Sequence, residues 1–182
     1  MKDLSLNLLD IAENSVKAEA TLTQLLLTQE GDILTFQVVD DGRGMTEEVL
    51  KGVVDPFYTT RTTRKVGLGL PLLRMAAEQT GGRMEVESRH RDAHPDNHGT
   101  VVTAVFHTDH IDCPPVGDLV ATVTTLIQGH PDTDFYFRHT TDTVQVELDT
   151  RQLREILGEV SLAEFEVLQW ISGYLTDQYN GQ

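Results

Sequence analysis

The sequence predicts an α+β two-layer sandwich over residues 1–108, followed by a small α/β extension. Three observations predict it. Apolar residues recur at helical spacing in two stretches, residues 4–18 and 68–80. Four β-leaning runs, at 22–28, 33–39, 84–88 and 101–107, lie between and after them. Glycine and proline then divide the runs at places where turns are needed. Four short strands and two amphipathic helices suit a mixed, mostly antiparallel sheet with the helices covering one face.

The elements follow in order. Leu4, Leu8, Ile11, Ala12 and Val16 fall on one side of the first helix. Gln29-Glu30-Gly31-Asp32 joins the first two strands as a hairpin, and Asp40-Asp41-Gly42-Arg43-Gly44 breaks the second. A short helix is expected at Glu47–Val54, then a polar loop at 55–66 carrying Arg61, Arg64 and Lys65. Pro71 suits the first turn of the next helix, where a missing N–H costs nothing, and Gly81-Gly82 ends it. A polar loop at 89–99 separates the last two strands.

Residues 109–117, with Pro114-Pro115, read as a linker. Residues 118–182 read as a small interaction domain: a helix at 118–128, a hairpin from 134–139 and 143–148, and two further helices. Asp149 with Gln152, and Ser161 with Glu164, resemble capping boxes that start those helices. Leu153, Ile156, Leu157, Leu162, Phe165, Leu168, Trp170, Ile171 and Leu175 are the apolar residues expected to bury there.

Composition excludes some classes. The net charge is −15, so a nucleic-acid footprint, which needs clustered lysine and arginine, is not expected. An anionic membrane surface is disfavoured on the same ground. Cys113 is the single cysteine, so no intrachain disulfide can form. No run approaches the roughly 18 apolar residues of a membrane span, and Asp10 and Glu13 interrupt the N-terminus where a signal peptide stays apolar. The expectation is a soluble, cytoplasmic protein.

Chemistry concentrates in four places. Asp10, Asn14 and Lys17 fall within an arc of about 60° on the first helix, opposite its apolar stripe. A carboxylate and an amide oxygen are ligands that Mg²⁺ accepts, and an ammonium suits phosphate oxygens; a merely solvated helix face would look the same. Asp40 ends a strand, where its carboxylate can accept from an exocyclic amine, and Gly42 and Gly44 allow close backbone approach to a flat ring. Gly67, Leu68, Gly69 and Leu70 open a helix, whose N–H groups and dipole favour an anion. Gly99-Thr100 enters the last strand of the sandwich. Each signal alone has a structural explanation. His107, Asp109, His110, Asp112 and Cys113 crowd one stretch without a zinc spacing, and His90, His94 and His98 read as solvated loop residues.

Taken together and in order, these segments resemble the GHKL superfamily. ENSVKA at 13–18 is similar to its N box, DDGRG at 40–44 to the G1 box, DPFYTTR at 55–61 to the F box of nitrogen-regulatory sensor kinases, and GLGL at 67–70 to the G2 box. GGRMEVES and HGTVVTAVF resemble its closing strands. The resemblance covers roughly residues 1–108 and implies a Bergerat-type ATP-binding fold. It implies that Asn14 holds Mg²⁺, that Lys17 contacts phosphate, and that Asp40 reads the adenine amine with Thr100 beside it. It further implies that Gly42 and Gly44 lie at the adenine, that Gly67, Leu68, Gly69 and Leu70 form the phosphate turn, and that residues 57–66, with Arg61, form a short ATP lid. Lys65 stands where the family has the first lid glycine. Asp10 stands where sensor kinases often have asparagine and gyrase-like ATPases have a catalytic glutamate, which implies a catalytic carboxylate. Taking Asn7 as the first asparagine of the box would put Ile11 at the metal, so that alignment is set aside.

The resemblance implies three classes of function: a protein kinase of the histidine or anti-sigma serine type, a gyrase-like conformational ATPase, or a non-hydrolysing ATP-sensing module. The chain begins at the N box, so the expectation is a catalytic module without its own phosphoacceptor hairpin, acting on an unidentified protein partner or phosphoacceptor. ATP or ADP, Mg²⁺ and a second copy of the chain complete the expected partners. The N-terminal part is also similar to small stand-alone members encoded beside iron-only hydrogenases.

Overall fold

The computed structural model describes residues 3–54 and 68–181. Helix α1, Leu4–Lys17, starts at Asp3, whose carboxylate accepts from Leu6 N at 3.1 Å. It buries Leu4, Leu8, Ile11 and Ala12. Strands β1, Leu22–Glu30, and β2, Ile33–Asp40, pair antiparallel, and β1 runs on through Gln29 and Glu30. The connection thus tightens to Gly31 and Asp32, with Gly31 at φ 58°. Helix α2 is Glu47–Val54 and α3 is Gly69–Gln79. After α3, Gly82 lies so close to a neighbouring strand that a Cβ there would sit 1.8 Å from the Val105 carbonyl. Strands β3, Arg83–Arg89, and β4, Gly99–His107, complete the first four.

The remaining elements are α4, Leu119–Gly129; β5, Asp134–Thr140; β6, Gln145–Asp149; α5, Thr150–Leu157; and α6, Phe165–Asn180. All six strands form one sheet in the order β3-β4-β2-β1-β5-β6. β1 pairs parallel with β5, from Leu22 opposite Asp134 to Thr28 opposite Thr140, and every other pair is antiparallel. The extension after residue 117 therefore continues the first sheet. Alternation puts Leu25, Leu27, Leu34, Phe36, Val38, Val102, Ala104, Phe106, Phe135, Phe137, Val146 and Leu148 on one buried face. Helices α3, α1, α4 and α6, each touching the next, cover it, and a single hydrophobic cluster runs through both parts. This is the expected two-layer α+β sandwich. The 109–117 segment is tied in as well: Pro115 O and Val116 O accept from Leu4 N and Ser5 N at 2.9 and 2.8 Å. Two N–H groups that a helix start leaves unpaired are thereby satisfied.

Three expectations in the extension need correction. Asp149 does cap α5, but it accepts from Arg151 N at 3.0 Å, one residue earlier than a capping box would have it. Helix α6 begins at Phe165, not after Ser161. Residues 161–164 instead form a turn in which Ser161 Oγ accepts from Ala163 N, and this turn inserts Leu162 into the core at 1% exposure. Core burial of Leu162 outweighs the local cap. Ile156, Phe165 and Trp170, expected inside, are 82%, 70% and 51% exposed.

His139 is buried on β5, with Nδ1 2.8 Å from the Tyr179 hydroxyl on α6. Burial pushes the His139 pKa down and the Tyr179 pKa up. The unfolded chain takes up a proton on this ring near the ordinary histidine pKa of about 6.5, whereas the folded chain resists doing so. Stability from this group is thus complete above that pH and falls as the pH drops below it. The melting temperature is expected to decline between pH 7 and pH 5 more steeply than in His139→Gln. Parallel melting-versus-pH curves for the two proteins would remove His139 as the cause.

Candidate functional site

The C-terminal half of α1, the end of β2 with the loop after it, the start of α3 and the start of β4 enclose a cleft of about 410 Å³. Ile11, Asn14, Ser15, Lys17 and Ala18 enter from α1; Asp40 from β2; Arg43, Gly44, Met45, Thr46 and Val49 from the loop and α2. Leu70, His90, Thr100 and Val102 close it. Most of its lining surface is apolar, with polar side chains set into it, the usual make-up of a small-molecule site.

The adjacent aspartates do different work. Asp40 Oδ2 accepts from Ser15 Oγ at 2.7 Å and Oδ1 from Gly42 N at 2.9 Å. Two donors from separate elements fix this carboxylate at the cleft wall. Asp41 turns the other way. Its Oδ1 accepts from Thr21 N and Leu22 N at 2.7 and 3.0 Å, and its Oδ2 from the Thr21 hydroxyl. Partial burial works to raise the Asp41 pKa, but the bonds from Leu22 N and from the hydroxyl and amide of Thr21 prevail and hold it below the usual range. Asp41 is therefore a clasp at the start of β1, and Asp40 is the one that faces the cleft.

Glycines set the wall. Gly44 has φ 73°, and a Cβ there would lie 2.0 Å from the Arg89 carbonyl. Gly99, at φ 142°, would place a Cβ 2.1 Å from the Asp40 carbonyl. Only glycine meets both the conformation and the contact. Behind the wall, Ser88 Oγ accepts from Met45 N at 2.7 Å and lies 2.8 Å from Thr100 Oγ1. Thr100 stands opposite Asp40 in the β2–β4 ladder, so pairing register alone brings the two together.

Of the residues expected from sequence, Asn14, Lys17, Asp40, Gly44, Leu70 and Thr100 share this one cleft. Gly42 does not line it, but sits behind Asp40, where an added Cβ would be 3.0 Å from Asp40 Oδ1 and 2.8 Å from the Ala18 carbonyl. Asp10 is exposed one turn before Asn14, its Cβ 3.6 Å from where a Cβ on Gly69 would lie. Leu68 is 63% exposed and precedes α3, whose start has no side-chain cap among the described residues. Arg61, Gly67 and the lid at 57–66 lie outside the described residues. Asn7 is buried on α1 and does not line the cleft, in keeping with setting it aside.

Sequence reasoning missed Ser15, Arg43 and His90 in the cleft. Arg43 Nη1 donates to the Lys17 carbonyl at 3.1 Å and pairs with Glu19 at 3.6 Å, so a cation is held at the rim. His98, expected to be solvated, instead has Nδ1 2.5 Å from the Gly42 carbonyl and holds the 89–99 loop against the cleft wall. Ser15, about 100° around the helix from Asn14, carried no readable signal, and neither did the loop histidines.

The donor set suits a nucleoside triphosphate. A fixed carboxylate at one end matches an amine on a base, while Lys17 and the uncapped start of α3 match phosphates. Asn14 offers an amide oxygen of the kind that could hold a Mg²⁺ ion beside the phosphates.

Comparison with known proteins agrees. The family model for histidine kinase-, DNA gyrase B-, and HSP90-like ATPases matches residues 2–110. The chain is similar to the sensor protein KdpD of Clostridium acetobutylicum, with 28% identity over 94 residues that make up 49% of this chain and 10% of that protein. It is similar to the sensor histidine kinase ZraS of Klebsiella oxytoca, with 31% identity over 88 residues, 48% of this chain and 19% of that one. The chain thus spans less than a fifth of the length of these two relatives. In fold it is similar to the N-terminal domain of a DNA repair protein, at a TM-score of 0.54 and 15% identity, covering 82% of this chain and 52% of the other. At that identity the likeness concerns fold alone.

Proposed function

Because the chain belongs to the histidine kinase-, DNA gyrase B-, and HSP90-like ATPase family, we propose that it is a Mg-ATP-binding kinase module that phosphorylates or regulates a partner protein in signalling. The observation that carries this reading is the meeting of Asn14, Lys17, Asp40 and Thr100 on one cleft at the start of α3. Asp40 takes the adenine amine. Lys17 and the α3 N-terminus take the phosphates, joined by Arg61 and Gly67. Mg²⁺ bound at Asn14 supplies charge neutralisation at the phosphates.

Transfer then needs an acceptor and a base. An acceptor oxygen or nitrogen on the partner forms a bond to the γ-phosphorus as the bond from that phosphorus to the β,γ-bridging oxygen breaks. ADP leaves, and Asp10 accepts the proton of the acceptor. Aspartate is one methylene shorter than the glutamate of gyrase-like enzymes, so water is a poor acceptor here and turnover without a partner is slow. Residues 118–182 serve partner choice, and the module works in the cytoplasm.

The test incubates the pure chain with γ-labelled ATP, with and without cell lysate. Label moving to a lysate protein is expected, with Asp10→Asn lowering transfer by about 10²–10⁴-fold, the usual worth of a general base, and leaving nucleotide affinity within a few fold. Fast phosphate release by the isolated chain, abolished by Asp10→Asn, would place it among the conformational ATPases instead. Tight nucleotide binding with neither transfer nor release would make it a sensing module.

A further inference from the structure

β6 ends the sheet, yet its outer edge is not bare. Glu147 N donates to Gln178 Oε1, and Gln178 Nε2 donates back to the Glu147 carbonyl, both at 3.0 Å. The carboxamide thus takes both main-chain groups of Glu147, as a peptide group of a seventh strand would. Gln178 is the last of a row on α6 at four-residue spacing, Trp170, Tyr174 and Gln178. The two aromatic rings stack at 4.9 Å between centroids and 9° between planes. Each remains about half exposed, and together with Ile156 of α5 they line a groove of about 420 Å³ beside β6. Exposed aromatic surface of this kind, next to a strand edge where a side-chain amide holds main-chain groups, marks an interaction site.

Charge decides the occupant. Residues 118–182 carry eleven acidic side chains and three arginines. Arg151 is paired with Asp149 and Arg154 with Asp134, and Arg138 stands opposite Glu147 in the ladder. Glu155, Glu159 and Glu166 are exposed and make no ion pair among the described residues. A second copy docked on the same edge would set Glu147 beside Glu147 and acidic helices beside acidic helices, which disfavours self-pairing. We propose that the β6 edge binds an extended, basic segment of a partner protein, which adds as a strand in place of the Gln178 carboxamide and rests apolar side chains on Trp170 and Tyr174. Main-chain bonds would supply affinity, and alternating basic and apolar side chains would supply specificity.

The test uses the whole chain and two fluorescein-labelled eight-residue peptides, one alternating lysine with valine and one alternating glutamate with valine, followed by anisotropy. Saturable binding of the lysine peptide alone is expected. Trp170→Ala should weaken it at least about tenfold, as for a buried interface anchor, and Trp170→Phe should restore most of the loss. Ile156→Ala gives a second reading should Trp170→Ala fold poorly. Gln178→Ala should strengthen binding severalfold, because no resident amide then has to leave. Slowed hydrogen exchange at Glu147 N on binding would report the new ladder. Equal binding of both peptides overturns the proposal. So does lysine-peptide binding that ignores Trp170→Ala and vanishes in about 0.5 M salt, where surface attraction is screened. Absence of binding, or a dimer in sedimentation that Trp170→Ala dissociates, overturns it too. None of these residues lines the ATP cleft, so failure here leaves the nucleotide reading untouched.

Discussion

Asp40→Ala is expected to remove a third or more of the stabilisation that Mg-ATP gives this chain. A ligand at a hundredfold above its Kd stabilises by about 2.7 kcal/mol, which for a chain of this size raises the melting temperature by roughly 5–10 °C. Loss of the acceptor at the cleft wall should cost about 1–3 kcal/mol of affinity, so the same ATP concentration should then shift the melt by roughly a tenth to two-thirds as much. The substitution also strips Ser15 Oγ and Gly42 N of their acceptor, so the free protein will melt lower as well. Asp41→Ala is the control for that. Its partners are Thr21 and Leu22 at the start of β1, outside the cleft, and it should lower the melting temperature without reducing the nucleotide shift. Measuring both variants by thermal shift, with and without Mg-ATP, separates the two effects. A full nucleotide shift in Asp40→Ala would show that the base binds elsewhere.

The contrast between these neighbouring aspartates shows what was legible in the sequence. Asp40 and Asn14 each sit at a fixed place on a strongly patterned element: a strand end before a Gly-rich turn, and the polar side of an amphipathic helix. Either pattern alone also fits a structural role, and the resemblance of the boxes in order is what singled them out. Thr100 was expected beside Asp40 only from the resemblance, and the β2–β4 register is what sets the two opposite each other. The hairpin and the helix stops were readable for local reasons. The pairing of β5 with β1 was not, because parallel strands distant in sequence share no turn whose chemistry could signal them. His98 on Gly42 and His90 in the cleft depend on how one loop folds over another, which no periodicity encodes. Ser161 misled because its capping pattern was real locally and was overridden by burial of Leu162. Trp170 misled in the opposite sense: an aromatic residue in a helix suggests core, and only the finished packing shows it facing outwards.

Removing residues 113–182 is expected to leave a chain that is unfolded or melts at least about 10 °C lower. The segment is fastened along the whole of α1. Pro115 and Val116 cap its first turn, Thr122 Oγ1 donates to the Ser5 carbonyl at 3.1 Å, and His130 Nε2 lies 2.8 Å from Glu13 Oε2 near its other end. Val123, Leu126 and Ile127 of α4 and Phe135 and Phe137 of β5 share one cluster with Leu4, Leu8, Leu25 and Leu27. Fully burying one such side chain is worth about 1.5–3 kcal/mol, so uncovering even part of several uses up much of a typical total of 5–15 kcal/mol. The cut would also open β1 as a long edge rich in leucine, prone to pair with other chains. Every residue lining the cleft lies at or before Val102, so whatever fraction stays folded should bind Mg-ATP within a few fold of the full chain. Circular-dichroism melts of the two chains, followed by nucleotide titration at a temperature where the shorter one is folded, make the comparison. An unchanged melting temperature would show that residues 113–182 are an appendage. A folded but nucleotide-blind remainder would show that they help to build the site.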